Sequence, residues 1–237
     1  MKLGEILRSL FPAGYHLGAE GKLIAGRGSL PGGGRIHLLG VAEGTFLGVE
    51  EALWLARSVL EIGPARDATP ILLMVNSGSQ RMSRRDELLG LNEYLAHLAK
   101  ALILAELAGH GSIGFLYGHS AAGAFIATGL AASALVALPG ATPTVMDLPS
   151  MARVTKLSVD FLREKAATTP IFAPGLDNLA QAGAVLEIWD SGKPLDRQLA
   201  SCLGKLPAAD VRDRLGQERG GRPRAATIAA RVAKSAF

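Results

Sequence analysis

Cysteine is almost missing: Cys202 stands alone in 237 residues. That excludes an internal disulfide framework and any cysteine-based metal cluster. It fits a reducing compartment. Aromatic residues are scarce at 5%, and charged residues make up 19%. No apolar run reaches the roughly 18 residues of a membrane span. The longest stretch, Ala121 to Leu138, is interrupted by Gly123, Thr128, Gly129 and Ser133. The amphipathic start MKLGEILRSLF contains Glu5 and lacks a secretory cleavage pattern, so a cytoplasmic protein without membrane contact is expected. Charge of neither sign dominates. The net +4 allows an acidic partner or an anionic ligand but does not demand nucleic acid. No HExxH motif and no cysteine pair is present, so no metal site is expected.

What the chain has instead is aliphatic bulk. Apolar residues reach 49%, carried by Ala, Leu, Val and Ile, which is enough for a sizeable core and excludes wholesale disorder. The 29 glycines point to tight turns and close backbone approaches. The length suits one domain with short appendages. Residues 1–34 read as a leader and a glycine-rich loop, 35–206 as the folded domain, and 207–237 as a charged tail that is either a peripheral helical segment or frayed.

From Arg35 onward strands and helices alternate. RIHLLGV (Arg35 to Val41), Ile71 to Val75, Ser112 to Tyr117 and Ala134 to Leu138 read as buried strands. A helix follows Gly48, with Val49, Leu53, Ala56 and Leu60 expected on its apolar side. A second, long helix is expected from Asp86 to Ala108, and a small-residue helix from Ala122 to Ala131. Further helices are expected near residues 150–156, 160–167, 176–182 and 194–203. This alternation predicts an α/β fold with a largely parallel, buried sheet. Upstream, Lys22 to Ala25 reads as a strand and GRGSLPGGGR (Gly26 to Arg35) as a loop. That loop lacks the Lys-Ser/Thr of a P-loop and precedes a strand, so it is no nucleotide fingerprint.

The densest local signal is a strand running into GHSAAGA, Gly118 to Ala124, and then a helix. It supports three readings. As a nucleophile elbow it would present Ser120, but that fold needs a later histidine, and His16, His37, His97, His110 and His119 all precede Ser120. As a packing device, its small residues would let the helix press on the sheet. As an oxyanion hole, the backbone N–H groups of Ala121, Ala122 and Gly123 would meet a developing negative oxygen. His119 beside it is either part of that site or a histidine bonded at a strand end. An earlier turn of similar character leaves a buried strand through Asn76, Ser77, Gly78 and Ser79. Ser83 or Asp86 would cap the helix that follows. Arg81, Arg84 and Arg85, beside the neutral amide of Gln80, make this turn basic, suited either to an anionic substrate end or to a solvated loop. Glu43 and Asp147 are polar residues at strand ends without an assigned role.

Two strand–turn–helix anion cradles on one chain resemble the crotonase superfamily, and within it the carboxyltransferase half-subunits. NSGSQRMSRRDELLG is placed like their first oxyanion turn, with Glu87 near their usual acidic position. GHSAAGA is placed like their glycine-rich second turn, although Ala121, Ala122 and His119 depart from it. More narrowly, GTFLGVEEALWLA, PILLMVNSGSQRMSRRDELLGLNEYLAHLAKAL, GFLYGHSAAGAFIATGLAA and PTVMDLPSMARVTK resemble the gamma subunits of biotin-independent malonate decarboxylases. The resemblance implies a crotonase-like β-β-α superhelix with peripheral helices. It implies pairing with a homologous beta subunit, an acyl-carrier protein and an acyl-carrier-protein transferase. The reaction would convert the malonyl thioester of the carrier into the acetyl thioester and CO2. No cofactor is expected on this chain, because the substrate rides on the carrier's phosphopantetheine-like thiol. The site residues so implied are Gly78 and Ser79 from the first turn and His119, Ser120, Ala121, Ala122 and Gly123 from the second. Two other functions fit the same motifs: the alpha-type half of a biotin-dependent acyl-CoA carboxyltransferase, and a non-catalytic scaffold for the beta subunit.

Overall fold

Five consecutive apolar residues, Ile71 to Val75, leave a strand with no polar face to turn to water. Such a strand belongs in the middle of a sheet covered on both sides. The computed structural model, which describes residues 1–18, 21–65, 67–170 and 173–235, places it there.

The chain opens with α1 (Leu3–Leu10), β1 (Tyr15–Leu17), β2 (Leu23–Ser29) and β3 (Arg35–Val41). Next come β4 (Thr45–Leu47), α2 (Val49–Ile62), β5 (Ile71–Val75) and β6 (Ser77–Gln80). The middle holds α3 (Arg84–Leu88), α4 (Leu91–Leu107), β7 (Ser112–Leu116), β8 (His119–Ala121), α5 (Ala122–Ala127), β9 (Ala134–Ala137) and β10 (Thr142–Thr144). The remainder is α6 (Leu148–Thr155), α7 (Val159–Thr168), α8 (Leu176–Gln181), β11 (Glu187–Ile188), α9 (Leu195–Leu203), α10 (Arg212–Glu218) and α11 (Ala225–Ser235).

The main sheet has seven strands in the order β1-β2-β3-β5-β7-β9-β11. Its first three strands pair antiparallel and the rest parallel. Alternate residues divide the core. Leu39, Leu73 and Val75 face α2 and α4, while Leu38, Leu72 and Met74 face α1 and α9. Two small parallel pairs, β4 with β6 and β8 with β10, stand apart from the main sheet. Each takes one strand that directly follows a parallel strand of the main sheet, β6 after β5 and β8 after β7. The two turns of interest therefore leave the same end of neighbouring strands.

Several expectations need correction. GRGSLPGGGR is not all loop, because β2 continues through Gly26 to Ser29 and pairs with β3 along its length. The apolar side of α2 is Val49, Ala52, Leu55, Ala56, Val59 and Ile62, whereas Leu53 and Leu60 are exposed. Ala52 and Ala56 sit at 0% exposure, where their small side chains suit a close helix neighbour. The long helix over Asp86 to Ala108 is two helices, broken by Gly90 at φ 81°. α5 stops at Ala127, short of Ala131. Of the two readings of the tail, the helical one holds: beyond residue 207 it forms α10 and α11 and is tied down by arginines. Arg219 donates to the carbonyls of Ala180, Val185 and Leu186, and Arg222 to those of Ala182 and Arg212. The last two residues expected in that tail, and Ala19 and Glu20 of the leader, lie outside the described residues. No helix of the described residues is long and apolar enough to cross a membrane, and no group of three metal-ligating side chains is found among them.

Candidate functional site

The first turn is built on a buried carboxylate. Ser83 caps α3 by accepting from the Asp86 N–H at 3.0 Å, as its residue type suggests. Asp86, 1% exposed, accepts in return from the Val49 N–H at 2.9 Å and from the Ser83 hydroxyl. Those hydrogen bonds, with Arg81 behind them, hold its carboxyl below the usual carboxylate range. Arg81 lies between Glu50 and Glu51 at the start of α2, and Arg85 pairs with Glu50. Two of the three arginines read as an anion site are thus spent on carboxylates of the chain itself. Gly78 packs beneath the Phe46 ring, and Ser79 is half-buried.

The second turn is built from small side chains. Gly118 has no room for a Cβ, which would stand 2.3 Å from Asn76 Oδ1. Asn76 accepts from the His119 N–H at 3.1 Å. His119 is exposed, with Nδ1 3.1 Å from Thr142 Oγ1. Ala122 opens α5 at φ 51°, a left-handed conformation that strains any side chain but glycine. The departure from glycine at this position therefore carries a backbone cost of about 1 kcal/mol.

The structure brings the two turns together through contacts that the sequence hides. Ser77 Oγ and Ser120 Oγ lie 2.6 Å apart, both at 0% exposure. Ser120 is therefore a buried linchpin rather than an exposed nucleophile. Gln80 Oε1 accepts from the Gly123 N–H at 2.9 Å. A Cβ on Gly123 would stand 2.3 Å from that oxygen and 2.9 Å from Leu95 Cδ1, so any larger residue must displace the ends of both side chains. Of the three second-turn amides, only that of Gly123 meets a side-chain acceptor among the described residues. Asn76 and Ser77 belong to the expected first turn and Gln80 to its basic stretch, but none of the three is among the implied site residues. The signal for them was their position right after a fully buried strand.

Glu87 is exposed, and Asp147 caps α6 by accepting from the Ser150 N–H at 2.7 Å. A cavity of about 710 Å³ opens one strand away from Ala121, whose register partner is Thr144. Thr144, Met146, Met151, Leu179 and Arg212 help line it, and none of the seven candidate residues does. Thr144 Oγ1 is buried there with no hydrogen-bond partner among the described residues.

Comparison with known proteins fits this arrangement. The family model for the malonate decarboxylase gamma subunit, MdcE, matches residues 42–236. The malonyl-S-ACP:biotin-protein carboxyltransferase MADD of Malonomonas rubra is 29% identical, over 81% of this chain and 73% of that protein. A chain of the Pseudomonas malonate decarboxylase MdcD–MdcE hetero-dimer superposes with a TM-score of 0.78 at 25% identity, covering 100% of both chains. A chain of the Pseudomonas hetero-tetramer in complex with coenzyme A superposes with a TM-score of 0.79 at 26% identity, covering 98% of this chain and 97% of that one. Transcarboxylase 12S shares the fold at 17% identity and a TM-score of 0.68, over 86% of this chain and 40% of its own. The α/β fold is thus crotonase-like, and the chain belongs to the malonate decarboxylase gamma subunit family.

Proposed function

We propose that this chain, paired with a homologous beta subunit, decarboxylates the malonyl thioester of an acyl-carrier protein, in the cytoplasm and together with an acyl-carrier-protein transferase. The bond between the carboxylate carbon and the methylene carbon breaks. CO2 leaves, and the electron pair moves onto the thioester oxygen as an enolate. A proton then returns to the methylene carbon, giving the acetyl thioester. The difficult species is the enolate, and fixed N–H donors in a water-poor cleft stabilise it as its charge develops. One such donor contributes about 3 kcal/mol to a transition state.

The observation that carries this reading is the Gln80–Gly123 bond. There the Gly123 N–H already donates to an sp² carbonyl oxygen, that of Gln80, at 2.9 Å, which supports the reading. In this reading the substrate oxygen replaces Gln80 Oε1, and the adjoining Ala121 and Ala122 complete the hole. Gly78 and Ser79 form the opposite wall, and His119 is the exposed polar side chain at the rim. Met82, Leu88 and Leu89 lie exposed beside the first turn, an apolar surface suited to the beta subunit. No cofactor is assigned to this chain, since the carrier's thiol brings the substrate.

The test is a reconstituted complex given the malonyl-S-carrier, with CO2 release followed in the presence and absence of this chain. Loss of release without it supports the proposal. Full release by the beta subunit alone would make this chain a scaffold. The likeness to the Malonomonas rubra carboxyltransferase favours a second reading, transfer of the malonyl carboxylate to a biotin protein. Adding a biotinyl acceptor protein separates the two: carboxybiotin formed in place of free CO2 would select the transferase.

A further inference from the structure

The parallel strands carry the two turns at their carboxyl ends. At their opposite end lies a groove that the proposed reaction does not use. Its cavity is about 600 Å³, within the size range of small-molecule sites. It lies between β1, β2, β3 and the last turns of α2.

Its chemistry follows from strand register. Arg27 is the direct partner of His16 on one side and of His37 on the other. Direct partners across an antiparallel pair project from the same face, with Cβ atoms about 5 Å apart. Arg35 precedes His37 by two residues on β3 and so shares that face. Four basic side chains are thereby gathered at one end of the groove. Like-charged neighbours in a sheet repel each other, so Arg27 and Arg35 on one face favour an anion beside them. Two carboxylates, Glu61 and Asp67, also line the groove, each with a partner of its own. Glu61 pairs with Arg57 at 2.8 Å, and Asp67 accepts from the Thr69 N–H at 3.0 Å. Among the described residues, no carboxylate comes within 4.0 Å of Arg27 or Arg35. Ala25, Leu39 and Ile62 give the groove an apolar stretch, beside the polar Ser58 and Thr69.

We propose that this groove binds a phosphorylated small molecule, its phosphate bridging Arg27 and Arg35 and its body lying along Ala25, Leu39 and Ile62. Arginine suits this role because its planar fork matches phosphate oxygens. Five residues of β5 separate the groove from the turn at Ser77, about 17 Å at the rise of a strand. A ligand here does not compete with the thioester, and the site is accessory to the reaction proposed above.

His37 supplies an internal reporter. Burial first, and then Arg27, hold its imidazole below the usual histidine range; His110 and Arg35 push the same way and Asp67 opposes them. An anion beside it reverses that balance and favours the protonated ring. Binding is then coupled to proton uptake and strengthens as pH falls toward and below the ordinary histidine range.

The test uses the full chain in complex with its partner subunit and titrates it with ADP, inorganic phosphate and 4′-phosphopantetheine by calorimetry. Saturable binding of ADP or phosphopantetheine, at least tenfold tighter than inorganic phosphate, is expected. Whichever of the two binds more tightly distinguishes a free nucleotide from a carrier-borne arm as the source. The double variant Arg27→Gln/Arg35→Gln should weaken that binding at least tenfold, and the His37 titration followed by NMR should shift upward on saturation. Three results would overturn the proposal: no saturable binding, equal binding of all three probes (an adventitious anion only), or binding that the double variant leaves unchanged. The substituted arginines are exposed, so the variant keeps the fold.

Discussion

The two turns leave equivalent ends of neighbouring strands, yet they are held in opposite ways. The first is a charged lattice: Asp86 is buried on two main- and side-chain donors, and Arg81 is gripped by Glu50 and Glu51. The second has no ion pair among the described residues and depends on what is missing, with Gly118 and Gly123 at close approaches and Ala122 in a strained left-handed conformation. Three hydrogen bonds, Asn76–His119, Ser77–Ser120 and Gln80–Gly123, fasten the second turn to the first. A charge-paired wall thus stands against a floor of small residues, and the proposed function asks that floor's backbone to donate to the substrate. The difference teaches that charge here serves architecture, while the proposed chemistry would fall to main-chain groups.

That contrast can be broken from either side. The largest effect is expected in the second turn, where Gly123→Val places carbon where Gln80 Oε1 and Leu95 now lie. Decarboxylation by the complex should fall by about a hundredfold or more, the scale of one lost oxyanion donor. Size-exclusion chromatography should still show the assembled complex. In the first turn, Asp86→Ala should cost about 3 kcal/mol in urea unfolding, because it leaves buried donors unpaired and frees Arg81. The same group predicts acid sensitivity. Its folded-state pKa is depressed, so its stabilisation is full above the ordinary aspartate range and disappears as pH falls through the folded value. Melts from pH 6 downward should show this loss in the wild type and not in Asp86→Ala.

Smaller effects sharpen the link between the turns. Ser77→Ala and Ser120→Ala should each cost about 1–2 kcal/mol, since each strands a buried hydroxyl. The double variant should cost less than their sum, and a double-mutant cycle would measure that coupling. Gln80→Ala removes the acceptor that competes with substrate for the Gly123 N–H. KM should fall by up to about fivefold with kcat little changed, the worth of roughly one hydrogen bond. A fall in kcat instead would make Gln80 a positioning residue.

The strands β3, β5, β7 and β9 were legible because a run of apolar residues has few places to go except a covered sheet. The break at Gly90 was not legible, since one glycine inside strong helix formers costs only about 1 kcal/mol and does not by itself end a helix. The apolar face of α2 was misread because leucines outweigh alanines in a periodicity argument. The packing chose Ala52 and Ala56, whose size allows a close neighbour, over Leu53 and Leu60. Both turns were visible as polar breaks after apolar strands. What joins them was not, because Ser77 and Ser120, like Gln80 and Gly123, are 43 residues apart. Nothing local in a sequence marks a hydrogen bond of that span.

The central claim is that this chain helps to stabilise a thioester enolate, and an enolate can be observed without CO2 release. The complex should be incubated with the acetyl-S-carrier product in D2O, and deuterium entering the acetyl methyl group followed by mass spectrometry. The account predicts exchange by the wild-type complex, near-background exchange by the Gly123→Val complex, and none by the beta subunit alone. Equal exchange in all three would contradict it.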